Sequence, residues 1–512
     1  MKQLVFFNSD KKIRNLLFFI LYFSFFIFTA CSLEENPPYE NASDYYQTQA
    51  QCISGLNSCY IPLRTIFGAP YFLLTEVSTD CLYSQTGTID GKLEISPAAP
   101  GHGQVVWRQG YLGVMYCNNI IAAIRRSPLT DEVKRPLLAE GIVMRAYYYY
   151  LLTSTFGNVP FYTEDVENLD ILDEVGRLGR MPATATRDYL IEELKEYVPY
   201  LPQIRTFDVP GNRSGAAMGW MLIGKMAQWN HRWEDALEAC KRLEEIYGEL
   251  DQYRLEDVAF CLKNTPESIF EVQFIYSPTG LKITTQVAAF CNPPRDANRT
   301  DTLTIYDGVN IPELGEMADG TYSRARTTSY YAQSCMPERS DDKRTKLNLA
   351  WEYNGIRFAS VTAVRPWLGP KFWSYNMNNT QDGNNQKVFR YADAILMQAE
   401  NYLELNDKDN SIKYLNMTRA RAGLPGYVFK NLVLLREEIQ KERGRELLGE
   451  YQRKYDLVRW GIWFETIRTY LEPTNNAYIN ALPCREYYPI PDMEVVNSNY
   501  HLDNDEYNKY GL

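Results

Sequence analysis

Glu442 and Glu446 stand one helical turn apart in "KERGRELLGEY", residues 441–451. A carboxylate pair at that spacing could supply a general acid and base, or half of a di-metal site. Lys441, Arg443 and Arg445 crowd the same stretch, and no Glu-x-x-His partner exists to complete a metal pair. The pattern therefore reads as helical ion pairs. Asp393 and Glu400 lie on a helix whose other positions look buried, and they read as capping or salt-bridge groups. His102, His231 and His501 lack metal-ligand spacing. No G-x-S-x-G elbow or H-E-x-x-H is present, and "GHG" at 101–103 lacks the third glycine of a phosphate loop. No catalytic residue, metal or cofactor is implied.

A second chemistry suits this chain better. Sugars present C–H faces above and below the ring and hydroxyls at its edge. A flat aromatic against the face and planar polar groups at the edge recognise them. The chain has 39 Tyr, 22 Phe and 9 Trp. Several fall in loop-like context. Asp80 and Tyr83 lie in "STDCLYSQ", Tyr330 and Tyr331 in "SYYAQS", Trp351 and Tyr353 in "WEYNG", and Arg365, Trp367 and Trp373 in "RPWLGPKFWSY". These are candidate ligand-binding residues, whereas Trp220, Trp229, Trp233 and Trp460 sit in helical patterns and read as packing.

The elements that must hold such loops are mostly helical. A helix is plausible from about 45 to 70, and residues 78–103 read as loop from their Gly, Pro and Ser content. Helices follow over Trp107 to Arg126, from Asp131 to Gly157, and as a hairpin from Arg213 to Asn230 and Trp233 to Tyr247. In the second of these, Ile142, Ala146, Tyr149 and Tyr150 share one side. In the hairpin, Trp220, Ile223, Gly224 and Ala236 occupy the large and small positions of a tetratricopeptide repeat. Ile395, Ala399, Tyr402, Ser411 and Leu415 keep the same offsets downstream, closed by "GLP" at 423–425. Between the two matches, helical periodicity fades. "ESIFEVQFIY", 267–276, reads as a strand, and the Asn-, Thr-, Gly-, Pro- and Tyr-rich stretch beyond it is too aromatic to be simply disordered. The expected fold is mainly α: a tetratricopeptide-like helical-repeat scaffold with an irregular, loop-rich ligand-binding insert.

The amino-terminal stretch sets the compartment. Lys2, Lys11, Lys12 and Arg14 precede Leu16 to Phe28, a run with only Ser24 polar. It is shorter than the roughly 20 residues a spanning helix needs. A basic flank, a short apolar run and a small residue before Cys31 read as a lipoprotein signal, with Cys31 as the lipidation site. Pro37 and Pro38 mark a tether. The chain divides into 1–30 (signal peptide), 31–45 (lipidated tether), 46–250 (N-terminal helical part with tetratricopeptide-like units), 251–385 (ligand-binding insert) and 386–512 (C-terminal helical part with a further unit). Net charge is −11, and no basic face for nucleic acid is visible. Cys52 and Cys59 admit either a disulfide or buried free thiols.

Six segments occur in order: "CNNII" (117–121), "AEGIVMRAYYYYLLTSTFGNVPFYTE" (139–164), "RYADAILMQAE" (390–400), "LNMTRARAGLP" (415–425), "IQKERGRELLGEYQRKYDLVRWG" (439–461) and "YYPIPDMEVVNSN" (487–499). Together they resemble SusD/RagB-like proteins, outer-membrane nutrient-binding lipoproteins. The resemblance spans nearly the whole chain beyond the signal. It implies four tetratricopeptide-like units, a surface-exposed lipid anchor, a SusC-like TonB-dependent transporter as partner, and a glycan held above the pore without cleavage. It also implies that the region of Asp80 and Tyr83 and the helix start near Trp107 contribute to the site. Peptide cargo, a glycan-cleaving enzyme and a pure protein-binding scaffold are the alternatives.

Overall fold

Pro62 and Pro70 decide how the chain enters its first helices. Neither carries an amide N–H, so each is tolerated in a first helical turn and not in a helix middle. The one helix expected over 45–70 is accordingly two, α1 (Gln49–Asn57) and α2 (Ile61–Phe67), and a third, α3 (Pro70–Thr75), starts where it was expected to end. In this computed structural model the described residues are 45–84, 87–291, 324–353, 356–357, 366–374, 377–378 and 380–512. Two units divide the chain, Met1–Tyr46 and Gln47–Leu512. Every element named below belongs to the second. Cys31 and Arg365 lie outside the described residues, as do the signal and nearly all of the tether. Among the described residues no helix is long and apolar enough to cross a membrane.

The scaffold is a succession of neighbouring helices: α4 (Gly103–Arg126), α5 (Asp131–Phe156), α6 (Ala183–Tyr197), α7 (Ala216–Trp229), α8 (Trp233–Tyr247), α9 (Tyr391–Glu404), α10 (Lys408–Arg421) and α11 (Leu432–Glu446). The strongest packing is pairwise, α4 on α5, α7 on α8 and α9 on α10. Helix α8 also packs on α9. Some 140 residues separate these two helices in sequence, yet the stack is continuous through them. The intervening chain is an excursion that leaves the repeat and returns to its next position.

Small residues permit the close approaches. At Gly113 an added Cβ would lie 2.2 Å from Cζ of Tyr148, so only glycine lets α4 meet the tyrosine face of α5. Ser411 donates to the Ala399 carbonyl at 2.7 Å and ties α10 to α9, while the Tyr402 and Tyr414 rings stack at 5.5 Å. Trp220 Nε1 donates to Gln203 at 2.9 Å, at the edge of the α7–α8 pair. Of these, Trp220, Ala399, Tyr402 and Ser411 are positions of the repeat pattern.

Helix α5 departs from the one-sided pattern. From Leu137 to Phe156 every residue is buried. A helix enclosed on all sides needs apolar or internally satisfied groups all round. Tyr148 donates to the Cys59 carbonyl at 2.6 Å and Tyr149 to the Tyr162 carbonyl at 2.8 Å. Tyr147 packs edge-on to Phe270 and Phe389. All described cysteines carry free thiols, so the bridge alternative for Cys52 and Cys59 gives way to buried thiols.

The neck of the excursion is an antiparallel pair. Strand β2 (Ser268–Val272) pairs with β6 (Gln386–Arg390), Val272 opposite Gln386 and Ser268 opposite Arg390. The strand expected over 267–276 is thus present as β2 with a short continuation at Ile275–Tyr276. Buried charge locks the neck to the scaffold. Arg390 pairs with Glu267 at 2.7 Å, Glu446 at 3.1 Å and Glu450 at 2.8 Å. Lys387 pairs with Glu271, Lys371 with Glu450, and Arg421 with Glu267 and Glu446.

Candidate functional site

The Glu442–Glu446 pair is fully committed to arginines. Arg344 reaches Glu442 at 2.8 Å and Glu446 at 2.9 Å, and Arg445 donates to Glu442 at 2.9 Å. Burial would raise the Glu442 carboxyl, but the charges of Arg344 and Arg445 outweigh it and hold it at about 2. Glu446 is likewise held well below its ordinary value: burial is opposed by Arg421, Arg390 and Arg344. Neither group can exchange a proton near neutrality. One pair, Arg445 with Glu442, has the expected helical spacing; the other cations come from distant elements. Asp393 and Glu400 are also ion-paired: Asp393 with Lys225 and Arg443, Glu400 with Arg459. No His, Cys, Asp or Glu cluster fit for a metal occurs among the described residues.

The loop aromatics converge on a strip of short strands. Strand β1 (Leu82–Ser84) pairs with β3 (Ala325–Thr327), which packs on β5 (Trp367–Leu368), itself paired with β4 (Leu349–Ala350). The register places Tyr83 opposite Arg326 and Ala350 opposite Trp367. The Arg326 guanidinium carbon lies 3.5 Å from the Trp367 ring centroid. Trp351 follows β4 directly. Segments 240 residues apart in sequence are thereby brought into one strip.

Exposure sorts the candidates. Tyr83, Tyr330 and Trp351 are half-buried and present part of a ring. Tyr330 stacks on Tyr470 with centroids 3.8 Å apart, and Ser329 beside it donates to Glu472 at 3.0 Å. The backbone of Tyr353 lies in the short strand Glu352–Tyr353.

Five other candidates are interior residues, and the expectation that they offer a ligand surface is corrected. Trp373 is 0 % exposed and spends its Nε1–H on the Leu368 carbonyl at 3.0 Å. Tyr331, also 0 % exposed, donates to the Gly444 carbonyl and receives Asn348. Trp367 is 2 % exposed beneath Arg326. Trp107 packs between Tyr111 and Phe156, with centroids at 4.9 and 5.0 Å. Asp80 takes a two-pronged grip from Arg453, Nε to Oδ1 at 2.7 Å and Nη2 to Oδ2 at 2.5 Å. Arg453 begins α12 (Arg453–Arg459), so this pair fastens the β1 loop to the carboxyl-terminal helices. Arg326, Tyr470 and Glu472 were not anticipated. In "ARTTS" at 325–329 only Ala325 is apolar, so no period-2 pattern marks Arg326.

Two cavities lie away from this strip. One, of about 460 Å³, is bounded by the end of α5, the start of α6, the end of α7 and residues 484–507. The other, of about 410 Å³, lies beside Tyr60 and Arg213, both held by Glu140.

The model of the SusD family matches residues 362–507, and a second family model, described as starch-binding associating with outer membrane, matches residues 99–196. SusD-like protein P25 of Formosa agariphila is 23 % identical over 435 residues, covering 78 % of each chain. A SusD superfamily protein of Bacteroides vulgatus has a TM-score of 0.72 at 20 % identity, over 90 % of this chain and all of that one. Surface glycan-binding protein A of Bacteroides thetaiotaomicron, solved in complex with laminarihexaose, has a TM-score of 0.70 at 19 % identity, over 89 % of this chain and 99 % of that one.

Proposed function

Because this chain is a SusD/RagB-like protein, we propose that it is a cell-surface lipoprotein that binds an oligosaccharide or polysaccharide without cleaving it and delivers it to a SusC-like TonB-dependent transporter. One observation carries the ligand assignment: the strand strip and the residues that follow its strands present Tyr83, Trp351 and Tyr330 as half-buried rings, with the Glu472 carboxylate held by Ser329 next to Tyr330. Rings give the apolar sugar face a partner, and the exposed Glu472 carboxylate reads hydroxyls. The laminarihexaose complex of the Bacteroides thetaiotaomicron relative supports a glycan as cargo. Tyr353, at the next strand, and Arg365 complete the proposed set. Acylation at Cys31 would hold the protein at the outer membrane, since each buried methylene contributes about 0.8 kcal/mol. The commitment of Glu442 and Glu446 to arginines supports a carrier rather than a hydrolase.

Titration of the purified chain with a panel of neutral oligosaccharides, laminarihexaose first, against a peptide mixture tests this. Saturable glycan binding with no shorter products on prolonged incubation is expected. Product release makes the protein an enzyme, and binding of peptides alone changes the cargo. Co-purification with a barrel protein from solubilised outer membranes tests delivery, and recovery of the chain without one removes that step.

A further inference from the structure

Arg187, on α6, is 3 % exposed and forms part of the wall of the 460 Å³ cavity. Its Nη2 donates to the Thr153 carbonyl at 3.2 Å, and its guanidinium carbon lies 4.4 Å from the Trp229 ring centroid. Nε is buried with no hydrogen-bond partner among the described residues. No carboxylate among them pairs with it. Arg344, Arg390, Arg443 and Arg453, also buried, each hold at least one carboxylate, and the buried Arg485 spends its donors on the Ile95 and Asn480 carbonyls. The other cations of the cavity wall, Arg180 and Arg459, are committed. Arg180 pairs with Asp503 and Glu506, and Arg459 with Glu400 and Asp456. Asp188, the neighbour of Arg187, is taken by Arg232 and Asn230. Glu486 also lines the cavity, its carboxyl raised by burial. Burial without a counter-ion also pulls Arg187 down to about 10.

A buried, unpaired cation is costly unless something pairs with it. A guanidinium fork matches a carboxylate, and the match is strong where water is excluded. The cavity is too large for a bare carboxylate and falls within the size of small-ligand sites. Tyr487 supplies a half-buried ring close to Gly157, whose missing side chain leaves that wall open. Asn158 and Thr184 add polar groups at an exposed rim. We propose that this cavity is a second ligand site, separate from the strand strip, which takes one carboxylated sugar ring, a hexuronate, with its carboxylate on Arg187 and its ring against Tyr487.

The test is titration of the full chain, at low salt, with glucuronate and galacturonate, with glucose and acetate as controls, read by calorimetry and by thermal shift. At least one uronate should bind saturably and raise the melting temperature, with glucose and acetate at least about tenfold weaker, as a lost charged hydrogen bond or lost ring contact requires. Arg187→Gln should lose that binding. Should Arg187→Gln fail to fold, Thr184→Trp, which narrows the exposed rim and leaves Arg187 in place, should weaken uronate binding by a similar factor. Tyr83→Ala should leave it unchanged, which separates this site from the proposed glycan strip. The proposal is overturned if neither uronate binds, if acetate binds as well as both, or if the folded Arg187→Gln protein binds uronate like the parent.

Discussion

Arg390 and Glu450 are joined by two parallel hydrogen bonds, Nε to Oε2 at 2.8 Å and Nη2 to Oε1 at 2.9 Å, with both side chains buried. Arg390 closes strand β6 at the neck of the insert, and Glu450 follows α11. The pair is therefore the joint between the part that carries the rings and the part that holds the scaffold. The same guanidinium reaches Glu267, just before β2. Both strands of the neck thus share one cation.

Removing that cation should be far more harmful than its share of packing implies. Arg390→Met leaves Glu450 and Glu267 buried with less than their full neutralisation. Breaking a buried pair in this way costs about 3–5 kcal/mol. Arg390→Lys keeps the charge and loses the fork, so it should still destabilise, by a smaller amount. Denaturant unfolding of the two variants beside the parent measures this. A Met variant within about 0.5 kcal/mol of the parent, the range of ordinary surface changes, would refute it.

Acid should unfold the protein through its buried, arginine-paired carboxylates. Arginine charge outweighs burial at Glu442, Glu446 and Asp456, and holds all three carboxyls below their ordinary values of 4.5, 4.5 and 3.8. Depressed native values mean that the unfolded chain takes up protons first as pH falls. The stabilisation is complete above about pH 4.5 and is lost as pH drops toward the Glu442 value of about 2. Buried pairs are poorly screened, so added salt should not abolish the loss. Stability that stays level from pH 6 to pH 3 is the contrary result.

The repeat was legible in the sequence because its signal is local. Ala236, Ala399 and Ser411 are small for one reason, the approach of the helix paired with theirs, while Gly224 faces α8 at Ala239 and, closer still, Met397 of the distant α9. The interior of the insert was not legible, because depth there depends on distant partners. Pro366, Gly369 and Pro370 make the surroundings of Trp367 and Trp373 look like loop. Yet Arg326, some 40 residues earlier, covers Trp367, and Trp373 turns inward to the Leu368 carbonyl. Asp80 looked like a sugar ligand in its loop, while its arginine lies more than 370 residues away. The identity of the charged segment as ion-paired was legible; which cations it pairs with was not.

Gly113 offers a test of the closest helix approach. The Tyr148 ring cannot retreat from an added Cβ, since its hydroxyl is held by the Cys59 carbonyl at 2.6 Å. Alanine normally favours a helix by about 1 kcal/mol over glycine. Here overpacking should reverse the sign, and Gly113→Ala should destabilise by about 1–3 kcal/mol. A rise in melting temperature for this variant would show that the α4–α5 contact has room for a methyl group.

The division of the tryptophans into surface and interior makes opposite demands on two substitutions. Trp351 is half-exposed after β4, and Trp373 is enclosed with its Nε1–H satisfied. If the strip is the glycan site, Trp351→Ala removes a stacking face worth about 1–2 kcal/mol, hence about tenfold in affinity, with little change in melting temperature. Tyr83→Ala should behave alike. Trp373→Ala opens a cavity in the interior and should cost about 3–5 kcal/mol of stability. Its effect on affinity, measured well below its own melting temperature, should then be small, because the ring touches no ligand. Measuring both quantities on all three variants is decisive, since destabilisation alone can mimic lost binding. If Trp373→Ala lost affinity while Trp351→Ala and Tyr83→Ala kept it, the ligand surface would have to lie elsewhere than on this strip.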